Sequence, residues 1–93
     1  MPLITRKYPG KNAQDIYEKV DQVMQRLTVK MGLKYDKHPE ERAGKVSKMG
    51  ITGKYLAKDG EVTVDLHFPI LVPGKLKKQV QDDIERRLDG LFA

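Results

Sequence analysis

The stretch ITGKYLAKDGEVTVDLHF, positions 51–68, constrains the fold more than any other part of the chain, because its two halves match each other residue by residue about Asp59-Gly60. An Asp-Gly pair between two strand-like runs is a favoured centre for a type I′ hairpin with a two-residue loop. With Lys58 opposite Glu61, Ala57 meets Val62, Tyr55 meets Val64, Gly53 meets Leu66 and Ile51 meets Phe68, all on one face. The other face pairs Lys54 with Asp65 and Thr52 with His67. A slip by one residue would turn the apolar set to water, so this double agreement sets the register.

A hairpin with one apolar face needs a cover, and the chain supplies two amphipathic helices. Ala13, Ile16, Tyr17, Val20, Val23, Met24, Leu27 and Met31 recur at three- and four-residue spacing. Asn12 is placed as an N-cap and Gly32 as a left-handed C-cap, which predicts a helix from about Ala13 to Met31. Leu76, Val80, Ile84, Leu88 and Leu91 form the second apolar stripe, supported by the pairs Asp82 with Arg86 and Asp83 with Arg87, over roughly Gly74 to Phe92. LITRKY, LKYDKH and KVSKM read as further strands, and PEERAGK as an exposed loop. The expected fold is a single α+β domain over residues 1–93, in the order strand, helix, strands, helix, with both helices on one face of a small antiparallel sheet.

Ninety-three residues suffice for one core, which any site must share. No apolar run approaches the roughly 20 residues that span a bilayer, and MPLITRKYPG lacks the long apolar segment of a signal peptide, so a cytoplasmic location is expected. The absence of cysteine excludes disulfides, thiolate catalysis and Cys-type zinc sites. Net charge is +5, with 13 Lys/Arg against 6 Asp/Glu up to Lys58 and 5 against 7 beyond it. A basic front favours anionic partners.

No residue set satisfies the requirement for a nucleophile, a base and a group that orients the base. Ser47 is the only serine, and His67 points away from the core in the hairpin register. Asp36, His38 and Glu40 alternate like ligands, but Pro39 interrupts them, so no metal site is assigned. Gly50 and Gly53 lack the spacing of a phosphate loop and are read as packing glycines. Neither a catalytic residue nor a cofactor is expected.

The remaining feature is FPILVPGKLKKQV, positions 68–80. Its apolar side chains cannot all point inward, which makes Phe68, Ile70, Leu71 and Val72 a candidate exposed lip. Lys75, Lys77 and Lys78 follow at the start of a helix, where the positive end of the dipole disfavours cations. Such rule-breaking marks a candidate anion contact.

The segments MGLKY, GITGKY and VTVDLHFPILVPGKLKKQVQDDIERRLDGLF, within a pattern covering nearly the whole chain, resemble the polyhydroxyalkanoic acid system, or PHA granule-region, family of small bacterial proteins. The resemblance implies association with polyester storage and carries no catalytic signature. This sequence is more lysine-rich than the family pattern and has Pro69 inside the apolar run.

The expected function is a non-enzymatic accessory protein associated with the storage granule, its lip and lysines meeting a polyester surface or anionic lipid. One alternative is a basic nucleic-acid-binding module using the sheet or the loop from Lys34 to Lys54; of the rings that could stack on bases, Tyr8, Tyr17, Tyr35 and Tyr55, the second and fourth are assigned to the core, so aromatic interleaving is thin. A third reading is a structural homodimer, or a small-ligand carrier with a cavity lined by Tyr17, Met24, Tyr55 and Leu66, although a filled core is the default expectation.

Overall fold

The computed structural model describes residues 3–92; Met1, Pro2 and Ala93 lie outside the described residues. The elements are β1 (Leu3–Lys7), α1 (Ala13–Met31), β2 (Lys34–His38), a 3-10 turn (Pro39–Glu41), β3 (Ala43–Lys48), β4 (Ile51–Lys58), β5 (Glu61–His67) and α2 (Gly74–Asp89). The strands form one antiparallel sheet in the order β1-β5-β4-β3-β2, so consecutive hairpins build most of it and β1 closes on the last strand. The fold is α+β.

The β4–β5 ladder has the expected register from Lys58 with Glu61 to Thr52 with His67. It stops there rather than at Ile51 with Phe68, since Pro69 has no N–H to donate and restricts the residue before it. The turn differs in kind. Among the described non-glycine residues only Arg42 and Met49 have positive φ, so Asp59 does not adopt the left-handed conformation that a type I′ turn requires. Its carboxylate is instead engaged at a distance, where Oδ1 accepts from the backbone N–H of Ala13 at 2.8 Å, while the Gly60 N–H donates to the Lys11 carbonyl. The hairpin turn thus helps cap α1.

Helix α1 starts and stops where expected. The Asn12 side chain accepts from the Asp15 N–H at 2.8 Å, a contact of the type worth about 1 kcal/mol, and Gly32 closes the other end at φ 67°. Its buried residues Ile16, Tyr17, Val20, Met24 and Leu27 lie on the inner sheet face against Tyr55, Ala57, Val62, Val64 and Leu66. Leu88 and Leu91 join the same core, which places both helices on one side of the sheet.

Helix α2 ends at Asp89, short of Phe92. Gly90 is a poor helix former, and its N–H donates back to the Arg86 carbonyl as the chain turns to bury Leu91. PEERAGK is likewise a loop only in part, because Ala43–Lys45 belong to β3. Gly44 there is buried beneath the Tyr55 ring, its cross-strand partner.

Candidate functional site

Three chain segments meet at one end of the sheet. Lys48 Nζ donates to the Met31 carbonyl at 2.5 Å, fastening β3 to the C-terminus of α1. A Cβ on Gly50 would lie 2.9 Å from Pro69 Cγ, so the β3–β4 turn abuts the β5–α2 loop. That loop folds on itself through a hydrogen bond from the Val72 N–H to the Pro69 carbonyl. Its apex carries Ile70 at 92% and Leu71 at 91% exposure, while Phe68 and Val72 are half-buried and Phe68 packs on the core. Lys75 and Lys78 are exposed just beyond, and Lys77 is half-buried. Helix α2 has no side-chain cap and no acid in its first turn, so these lysines reinforce the positive helix end.

Met49 adds an apolar residue to this end that the sequence reading missed. It is 87% exposed and sits at φ 52°, followed by Gly50 at φ 85°. Two positive φ values across a two-residue hairpin loop suit Asn-Gly or Asp-Gly, and a methionine in this region is uncommon. Gly50 after KVSKM was the available turn signal, but methionine has no turn chemistry to reinforce it.

Behind the apolar end, a groove of 570 Å³ lies between α1 and α2 above the sheet. Leu27 of α1, Val46 and Leu66 of the sheet, and Val80 and Ile84 of α2 contribute to its wall. The default expectation is a filled core; of the lining named for a ligand carrier, the groove has Met24 and Leu66 but not Tyr17 and Tyr55. Those two rings stack at 6.2 Å and fill the other part of the interior, with Tyr55 Oη 2.5 Å from Tyr35 Oη and Tyr35 Oη donating to Asp21 Oδ1 at 2.7 Å. A Cβ on Gly53 would already meet Leu66 Cδ2 at 3.3 Å and Val46 Cγ2 at 3.4 Å, so the space lies between α2 and the sheet rather than over that glycine. Of the α2 residues, only Leu88 is buried.

Burial raises the hydroxyl pKa of Tyr35, Tyr55 and Tyr17 above the ordinary value, and pushes Tyr8 up to about 12 with help from the Asp89 carboxylate. Because the unfolded chain ionises near pH ~10, the stability contributed by these groups is intact below that point. It is lost as pH rises through the folded values, since the unfolded state then binds fewer protons. Urea midpoints should therefore fall above pH ~10, and Tyr35→Phe should flatten the decline. An unchanged slope in that variant would show that the Tyr35 hydroxyl does not contribute.

The other candidates remain dispersed. Asp36 and His38 lie on strand β2 and Glu40 in the following turn, and no group of three or more metal-ligating side chains capable of holding an ion occurs among the described residues. The tyrosines offered as stacking platforms are buried or half-buried, with Tyr8 edge-on to Phe92 at 5.2 Å. On the outer sheet face the cross-strand row runs Asp36, Lys45, Lys54, Asp65, so two adjacent lysines are flanked by acids rather than forming a uniformly basic row. No described helix is long and apolar enough to cross a membrane.

Structurally, this is a small α+β protein with an apolar, lysine-flanked end and a groove behind it. A family model described as "Putative polyhydroxyalkanoic acid system protein" matches residues 5–92, and the chain belongs to that family, which links it to polyhydroxyalkanoate storage systems. No curated protein and no solved structure matches it.

Proposed function

We propose that the protein is a non-enzymatic accessory factor that docks on the surface of polyester granules in the cytoplasm. The observation that carries this reading is the pair Ile70 and Leu71, both more than nine-tenths exposed at a loop apex and followed by exposed Lys75 and Lys78. Exposed neighbouring large aliphatics are a standing cost in water and a gain at an apolar interface. Met49 extends the apolar character across the adjoining turn, while the lysines meet carboxylates or lipid phosphates at the rim. Membership of a storage-system family makes the polyester surface the occupant to test first.

Co-sedimentation with polyhydroxyalkanoate particles should retain the protein at high as well as low salt. Burying two large aliphatic side chains contributes about 3 kcal/mol or more, so Ile70→Ser with Leu71→Ser should weaken retention by on the order of 100-fold while circular dichroism stays unchanged. Retention by the double variant would sink the proposed surface. Loss of wild-type binding at moderate salt, with DNA preferred, would favour the nucleic-acid reading instead.

A further inference from the structure

We infer that the groove between α1 and α2 is a binding site for a single acyl chain ending in a carboxylate, separate from the surface at the loop apex. Amphipathic helices normally bury their apolar stripe, yet α2 leaves Val80 and Ile84 only partly buried and Leu76 at 40% exposure along the groove. At 570 Å³ that space falls within the ~300–1,000 Å³ typical of small-molecule sites. An entering helix, 10–12 Å across, would displace roughly 400–600 Å³ for each 5.4 Å turn. The groove therefore accommodates little more than one turn of a peptide helix, whereas an alkyl chain is slim enough to lie along it.

The charges around the groove select the head group. Its lining includes Lys30, Lys48 and Arg87 against one acid, Asp83, leaving two positive charges in excess. Asp83 is already engaged by Arg86 at 2.6 Å and Arg87 at 3.0 Å. Burial alone would raise its carboxyl pKa, but the hydrogen bonds from the two arginines outweigh burial and hold it below the usual range. Asp83 and Arg87 thus largely satisfy each other, and Lys30 and Lys48 are the cations left to meet a ligand. Lys48 spends one of its three donors on the Met31 carbonyl and keeps the others for an anion. With the carboxylate beside these lysines, the chain runs inward past Leu27 and Val46 toward Leu66 and Ile84.

The test is calorimetric titration of the full chain with dodecanoate below its micelle concentration. Dodecyltrimethylammonium, with the same tail and opposite charge, serves as comparator. Wild-type protein should bind dodecanoate saturably, with Kd on the order of 10 μM, and the cationic analogue much more weakly. Lys30→Glu with Lys48→Glu should weaken dodecanoate binding at least about tenfold. Val46→Trp should abolish it by filling the groove, and Val80→Trp, at a half-exposed helix position, repeats the test with little risk to folding. Ile70→Ser with Leu71→Ser should leave dodecanoate affinity unchanged, so loss of particle retention and loss of groove binding are distinguishable. The proposal is overturned by absent or non-saturable binding, by equal affinity for the two head groups, or by undiminished binding in both tryptophan variants. Protection of the groove by self-association, with no dodecanoate binding, would likewise overturn it in favour of a second copy as occupant.

Discussion

Gly44→Ala is expected to destabilise the protein by about 2–4 kcal/mol, combining overpacking with the loss of a buried hydroxyl contact. A Cβ at this position would lie 2.5 Å from Tyr55 Cε2 and 2.8 Å from its Cζ and Oη. The ring has little room to retreat. It is 2% exposed, stacks with Tyr17 on one side and ties its hydroxyl to Tyr35 on another. Moving it would disturb α1, β2 and β4 together, because Tyr17 belongs to α1 and Tyr35 to β2. For a domain of this size each 1 kcal/mol shifts Tm by ~4–8 °C, so thermal denaturation should show a fall of roughly 10–30 °C. Gly74→Ala is the control, since nothing lies within 4 Å of its added Cβ, and its effect should stay within about 0.5 kcal/mol. A Gly44→Ala variant as stable as that control would mean the ring can shift without cost.

The same glycine shows where sequence reading reached its limit. The pairing of Lys54 with Asp65 and Tyr55 with Val64 was legible because both faces of the hairpin carry matched chemistry at adjacent positions. The limits of α1 were legible because Asn12 and Gly32 are local signals whose roles depend on their own backbone. The conformation of Asp59 was not, because its carboxylate serves Ala13, 46 residues away in sequence, a partnership that only the closed sheet creates. Leu91 and Phe92 continued the apolar period past the true helix end, since periodicity reports burial and Leu91 is buried without being helical. The lysines at the start of α2 could be recognised as misplaced from the dipole alone. The meeting of the β3–β4 turn with the loop that precedes them depended on the packing of Gly50 against Pro69, which local sequence does not announce. That the core is filled around Tyr17 and Tyr55 but open between α2 and the sheet was not legible, because composition cannot say which large side chains fill their own space, and these two do so by stacking.

Leu88→Ala should be the other severe substitution, costing about 2–5 kcal/mol, whereas Leu76→Ala on the same helix should cost under about 1 kcal/mol. The difference follows from how α2 is held. Leu88 is 1% exposed and Leu76 40%. Around Leu88 the Tyr8 hydroxyl donates to its carbonyl at 2.7 Å, and Arg6 bridges Asp89 at 2.6 Å and Glu85 at 3.4 Å. Phe92 completes this end by meeting Tyr8 edge-on, with Lys11 Nζ 4.9 Å from its ring centre. Among the described residues no comparable set of polar contacts secures the first turns, where the helix lacks a side-chain cap and borders the groove. Backbone amides near Leu76 should therefore exchange with solvent much faster than those near Leu88, and a groove ligand should slow the former selectively. Uniform protection along α2 would contradict the picture of a helix anchored at one end. A helix latched at β1 and loose over the groove would place its most adaptable wall where the proposed acyl chain would enter and its firmest contacts where the core needs them.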